Sequence, residues 1–573
     1  MSEFTNSSKP LKLVNVIDPR LECMSYAQNE KEWAIFKGCE GKNAVQQQAN
    51  SYSNSSIVWN FNTQSENVII DRRIYAKVQF QMTFVGKAPV GTPLLNTESD
   101  APRAFPLASV CQDVSVRING RNIESRYKDS LSAFLRYNMD NDCLEHDLSQ
   151  TPNAPDRYQR YIDGVGSIRN PLSDYANSGE MTGRGAFQLD SITNPVGVGV
   201  AEGDASVTAV VLFTVVEPLL ISPLLYKSEQ LESGLIGVNN LGVSLNFASG
   251  QLARVWSHAQ NAEVTISSAT CNIGSGTTEP PQLLINYLTP PLIDMGKIPR
   301  SVNYQYYRTS VHSNDYNVSV APNATRQLQS NSIQLSTVPK SMYIYASRPE
   351  NDRTFETTDT FFRINGISLN YLNVSGQFGS MTVNELYQMS RKNGCNLSFN
   401  EWSGKTGSLD GTSDGLVGSV LKIDISDLHV NSSVASGMAL NSQLSYTLDI
   451  ENVNQVDTLG VQITTILVYD GLMTIQNGTM ETTDNVINSE QVLKTRESGA
   501  FVDFKSASSI YGGSLFSKLG HFSSMGKKGL DLVCDAKKML GMGMMGEKEE
   551  KHGGVMAGQM MSRSQLKNRM YNS

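Results

Sequence analysis

Gly404-Lys405-Thr406 carries the ending of a phosphate-binding loop, in which backbone N–H groups and a lysine cradle a nucleotide's phosphates. That loop requires a glycine five residues before Gly404, and Phe399 stands there, so the match fails. Gly411-Thr412-Ser413-Asp414-Gly415 fits G-x-S-x-G, the turn that exposes a nucleophilic serine between a buried strand and a helix. The polar run Gly407-Ser408-Leu409-Asp410 precedes it, which is not a buried strand. Gly197-Val198-Gly199 lacks the spacing and the strand-to-helix setting of a dinucleotide fingerprint. The six histidines (His146, His258, His312, His429, His521 and His552) are dispersed, and none stands at metal-ligand spacing from another histidine or a cysteine. Carboxylates are spread evenly, with no pair marked out for acid–base work. The sequence therefore assigns no catalytic, cofactor-binding or metal-binding residue, and implies no cofactor.

Composition narrows the class further. The chain has 573 residues, more than one hydrophobic core usually spans, so two domains are expected. A net charge of −8 with 18% charged residues argues against a chain whose main work is coating nucleic acid. Seven scattered cysteines without a C-x-x-C point to reduced thiols. The N-terminal Met1-Ser2-Glu3-Phe4-Thr5 has neither the basic nor the apolar region of a signal peptide, and no stretch reaches a membrane span in length.

The elements that would position any site read as strands. Ile74, Ala76, Val78, Phe80, Met82 and Phe84 alternate with polar neighbours, the pattern of a strand with one buried face. Ser206–Val216 reads as a strand buried on both faces, and Leu241–Phe247 as another alternating strand. Arg117-Ile118-Asn119-Gly120 recurs as Arg363-Ile364-Asn365-Gly366. Asn-Gly favours a two-residue hairpin turn, because both residues tolerate positive φ. A helix is expected after each copy, capped by Asp129 in the first case and by the capping box Thr382/Glu385 in the second. The echo implies a duplication, with the two turns at equivalent corners.

Thr278-Glu279-Pro280-Pro281 reads as a boundary, and Leu283–Leu288 as the opening strand of the second half. Ile333–Leu335, Lys340–Ala346, Phe361–Ile364, Leu421–Ile425, Leu444–Ile450 and Val461–Tyr469 follow as strands. The expected division is an N-terminal arm over 1–50, a first β domain over 51–277, a second over 278–480, and a flexible, basic, Met- and Gly-rich tail over 481–573. Lys527-Lys528, Lys537-Lys538, Arg563, Lys567 and Arg569 make the tail basic. Many strands with turn signals and few helices fit an all-β chain of sandwiches or jelly rolls.

These features together resemble the double jelly-roll major capsid proteins of virophages, polinton-like viruses and related tailless double-stranded DNA viruses. The resemblance rests on the paired Asn-Gly segments with their helices, on Phe105–Val110, on Ile298-Pro299-Arg300 and on Val338–Tyr345. It implies two tandem eight-stranded jelly rolls and a structural, non-enzymatic role in a virion capsid assembled inside the host cell. It also implies homotrimers of pseudo-hexagonal outline that tile an icosahedral shell, with penton and minor capsid proteins as further partners. Loops 140–205 and 401–418 would then be outward towers or inter-subunit contacts, and the tail would face inward, toward packaged DNA or an inner membrane. Two other classes stay open: a tandem β-sandwich binding module for attachment or carbohydrate, and a β-rich hydrolase with convergent Asp, His or Ser residues.

Overall fold

Strand Tyr75–Lys87 follows from its alternation: Ala76, Val78, Phe80, Met82 and Phe84 are fully buried. Each such side chain contributes roughly 1.5–3 kcal/mol on leaving water, Ala less, so the period-two face fixes the strand's register. The computed structural model describes residues 21–24, 33–36, 41–63, 68–95, 100–137, 151–162, 187–224, 234–248, 250–259, 263–274, 278–289, 301–372, 374–405, 415–428, 439–476 and 478–483. All of them lie in the first of the chain's two compact units, residues 1–513. The expected basic tail beyond Thr483 lies outside the described residues.

The first jelly roll uses β1 (Gly41–Gln48), β2 (Ser56–Asn62), β3 (Tyr75–Lys87), β4 (Cys111–Ile118), β5 (Arg121–Ser125), β6 (Val207–Pro218), β7 (Asn240–Phe247), β8 (Thr265–Ile273) and β9 (Gln282–Thr289). One sheet runs β5-β4-β7-β2 and the other β6-β3-β9-β1, with β8 also paired to β3. The second uses β10 (Ser301–Val320), β11 (Thr325–Gln329), β12 (Ile333–Thr337), β13 (Ser341–Ser347), β14 (Arg363–Tyr371), β15 (Val374–Gln377), β16 (Val420–Asp424), β17 (Ala439–Glu451) and β18 (Leu459–Gln476). Its sheets run β15-β14-β17-β11 and β16-β13-β18-β10, with β12 also on β17. The two halves thus repeat one strand order in chain order, β8 and β9 together filling the place that β18 fills alone. Among the described residues five short helices sit in the connections: α1 (Pro106–Val110), α2 (Tyr127–Phe134), α3 (Val383–Lys392), α4 (Phe399–Ser403) and α5 (Ile425–Leu428).

Several expectations need correcting. The boundary does not fall at 277/278. β9 pairs with β1 along its length and with β3 at Gln282↔Lys77, Leu283↔Ala76 and Leu284↔Tyr75, so it closes the first jelly roll. Pro280-Pro281 removes two ladder donors, which splits one sheet position into β8 and β9 rather than separating domains. For the same reason Gly41–Gln48 is a paired strand and not part of a free arm. Val210 and Leu212 on β6 are half-buried, so that strand has one core face.

The two Asn-Gly segments diverge. Asn119 and Gly120 have φ of 47° and 86° and join Ile118 to its partner Arg121 as a two-residue turn. Asn365-Gly366 is no turn: the register shifts between Ile364 and Gly366, a bulge within β14. The chain reverses only after Tyr371, which pairs with Val374, with Leu372 at φ 52°. Ile367, Leu369 and Tyr371 are buried, so continuing the strand places three more side chains in the core and overrides the local turn preference. After Gly120 only Ile123 of β5 is buried, and nothing opposes the turn. The capping box Thr382/Glu385 forms as expected. Asp129 does not cap: α2 starts two residues earlier, after Arg126, and Asp129 sits in its first turn.

The same dipeptide should therefore answer differently to one substitution. Gly120→Ala places a Cβ at positive φ and should cost about 1 kcal/mol or more. Gly366→Ala, at ordinary φ with its nearest neighbour atom 3.9 Å away, should stay within about 0.5 kcal/mol of wild type. Chemical denaturation of the two variants checks the contrast.

Candidate functional site

The segments singled out for chemistry are not brought together. Gly404 is the left-handed C-cap of α4, and Lys405 bonds Glu451. Ser413 of the G-x-S-x-G stretch lies outside the described residues. Gly197 and Gly199 pair with the loop Ala88–Val90. His258 bonds Asp100 at 2.8 Å, both buried, while His146, His429, His521 and His552 lie outside the described residues. Cys111, Cys271 and Cys395 are buried free thiols. Among the described residues no group of three or more His, Cys, Asp or Glu could hold a metal ion.

What the fold does bring together is a polar joint between the jelly rolls, with interlocked apolar residues on either side. From the first jelly roll, α2 delivers Ala133 and the following turn delivers Tyr137 into the core of the second. Phe134 and Tyr137 meet Tyr343 edge to face, with centroids 5.0 and 5.4 Å apart. Tyr137 Oη donates to Val420 O, and Tyr345 Oη donates to Asp129 O. In return the second jelly roll sends Tyr304, Tyr306, Met473, Ile475 and Met480 into the core of the first. Tyr304 Oη accepts from Ile236 N at 2.8 Å, and the Arg72 guanidinium lies 4.9 Å over its ring.

The polar part centres on Arg103, almost wholly buried between the two jelly rolls. Its Nε donates to Arg254 O at 2.7 Å, Nη1 to Asp359 at 3.2 Å and Asp156 at 3.5 Å, and Nη2 to Thr357 O at 3.0 Å. Asp156 also accepts from Asp359 N at 2.8 Å and from Tyr161 Oη at 2.9 Å. Arg254 Nη2 donates to Asp359. Gln159 Nε2 donates to Phe361 O and Leu416 O at 3.0 and 2.8 Å, and Thr358 Oγ1 donates back to Gln159 O. Burial alone would raise the Asp359 carboxyl, but Arg254, Arg103 and Arg353 hold it well below the usual carboxylate range.

Within the stretch 140–205, read as a tower or inter-subunit loop, residues 151–162 are instead part of this joint, while 140–150 and 163–186 lie outside the described residues. Thr151, Asn153, Asp156 and Gln159 are buried, and the segment bridges to the second jelly roll at Tyr158↔Leu416 and Arg160↔Thr357. Of the stretch 401–418, Glu401–Ser403 is the end of a capped helix and Gly415–Leu416 joins that bridge. Sequence reading missed α4, although Ser398/Glu401 has the same capping-box spacing as Thr382/Glu385. Both carboxylates at the centre of the joint, Asp156 and Asp359, are bonded to arginines that reach across it, an arrangement that holds the two surfaces together.

Removing one partner should leave a buried charge uncompensated. Asp156→Ala is expected to cost roughly 3–5 kcal/mol in denaturant unfolding. Because Asp359's carboxyl is depressed, its contribution is complete above the unfolded value and is lost as pH falls. The stability difference between wild type and Asp359→Asn should be constant near neutrality and shrink below pH 3.8, the ordinary value.

Comparison with known proteins places this architecture. A family model described as Sputnik virophage major capsid protein first domain matches residues 11–288, and one described as major capsid protein V20 C-terminal domain matches residues 304–471. The putative capsid protein V20 of Sputnik virophage is 27% identical over 545 residues, which cover 92% of this chain and 88% of that protein. The cryo-EM structure of the Sputnik virophage matches with a TM-score of 0.70 and 25% identity, covering 85% of this chain and 96% of the other. The crystal structure of the mavirus major capsid protein, 17% identical, shares the fold with a TM-score of 0.64, covering 79% of this chain and 92% of the other.

Proposed function

Since the chain belongs to the double jelly-roll major capsid proteins of virophages and related double-stranded DNA viruses, we propose that it builds an icosahedral shell from pseudo-hexameric homotrimers. Its place is the virion capsid, and its role there is structural rather than catalytic. The observation that carries the proposal is the repeated strand order held by one buried joint. A subunit with two like halves supplies six jelly rolls when three copies meet, which gives a near-hexagonal tile from a threefold assembly. Contacts between copies also cover sheet edges that a monomer would leave open. Neighbouring trimers are the main partners, with penton and minor capsid proteins at the special positions of the shell. The basic tail, with Lys527-Lys528 and Lys537-Lys538, faces inward and contacts packaged DNA or an inner membrane.

Native mass spectrometry of the purified protein should give three times the 62.8 kDa chain mass. Monomer alone across micromolar concentrations would argue for a binding module instead. A chain ending at Thr495 should form trimers of unchanged melting temperature yet assemble faulty or unfilled particles. Normal filled particles from that chain would remove the inward role of the tail.

A further inference from the structure

Three arginines are buried at the joint, and two carboxylates answer them. Arg103 and Arg254 both reach Asp359, and Arg103 also reaches Asp156. Arg136, only 2% exposed, has no carboxylate within ion-pair distance among the described residues. Its Nη2 donates to two backbone carbonyls, Asp156 O at 2.6 Å and Asp359 O at 3.5 Å. Its Nε has no partner, and neither does the Nε of buried Arg254. Both arginines line one cavity of about 30 Å³, together with Arg103, Lys128, Asp156 and Asp359.

The other charges around the cavity do not supply the missing anion. Lys128 is paired with Glu350 at 2.5 Å, and Arg126 lies 3.4 Å from Asp129. Arg157 lies 3.9 Å from Glu401, and Arg353 adds positive charge beside Asp359 while bonding Ser347 and Gln462. A buried guanidinium with no carboxylate in contact is costly: burial pushes Arg136 down to about 10, although Asp156, Glu401 and Asp359 act on it from beyond ion-pair distance. A cavity of this size holds one water or one ion of similar volume.

We propose that this cavity is a binding site for a small inorganic anion, chloride, held between Arg136 and Arg254 at the joint of the two jelly rolls. Chloride accepts from guanidinium N–H groups and supplies the charge that the two aspartates do not. The site would tie the locking of the two halves to the anion content of the medium. The inference stands on the cavity and its charges, independently of trimer formation.

The test compares full-length protein in sodium chloride and in sodium gluconate at equal ionic strength, so that general screening is the same. The melting temperature should be higher in chloride by about 2–4 °C and saturate with concentration. Arg136→Met should abolish that difference, while Arg363→Gln, whose partner Glu451 is elsewhere, should keep it. Equal melting in both salts, or a chloride effect that survives Arg136→Met, overturns the proposal. Should Arg136→Met fail to fold, a bromide-soaked crystal of the wild-type protein decides. Anomalous density between Arg136 and Arg254 supports the site, and water alone in the cavity overturns it.

Discussion

One guanidinium sets the relation between the two halves of this molecule. Arg103 hangs from the first jelly roll and donates to Asp156 and Arg254 O there, and to Asp359, Thr354 O and Thr357 O of the second. The planar fork of an arginine is directional, so acceptors on two sides fix an orientation as well as a distance. Taking such a group out of water is expensive, and the pairing offsets that cost only when every donor finds its acceptor. The apolar interlock does the complementary work. Tyr137 packed on Tyr343, and Tyr304 with Met473 sunk into the other core, supply area and energy with little angular preference. Apolar contact holds the halves together, and the arginine cluster selects one arrangement among those that contact alone would allow.

The repeated strand order shows that topology outlasts local chemistry. β4 and β14 hold the same place, flanked by β5 and β7 in one half and by β15 and β17 in the other. Yet the Asn-Gly pair ends β4 and interrupts β14 as a bulge, because the residues after it are apolar at alternate positions in only the second case. The halves have also become asymmetric where they meet. Among the described residues the first contributes a helix to its neighbour's core, and the second contributes the ends of β10 and β18. Each half therefore completes its core with residues of the other.

What could be read from the sequence followed how locally each feature is determined. The alternation of β3 and the Thr382/Glu385 box were legible because each is a short-range pattern with one physical meaning. Pro280-Pro281 misled, since a pair of prolines breaks a ladder equally at a domain end and in mid-sheet. The 20-residue β10 went unread in the sequence, because polar and apolar residues do not alternate strictly along it. The joint was not legible at all. Arg103, Asp156 and Asp359 are far apart in the chain, and a polar stretch such as Thr151–Gln159 has the composition of a surface loop. It is buried because Gln159, Asp156 and Tyr161 find hydrogen-bond partners there, and no local pattern records that.

A shell subunit and an enzyme would use the same buried charges in opposite ways. Catalysis needs a group whose bonding is unfinished until substrate arrives. At this joint Asp156 accepts from Arg103, Tyr161 and a backbone N–H, and Asp359 accepts from two arginines, so neither carboxylate is available for acid–base work. A tile meets the other requirement. Its edges must keep the same relative positions in every copy, or small angular errors accumulate across a closed lattice. Two jelly rolls joined by apolar contact alone could slide, since such contact is indifferent to small rotations. Directional bonds between the two halves oppose that sliding. The same reasoning explains why the joint is rich in arginine: a fork of fixed geometry resists rotation where a flexible ammonium would follow it.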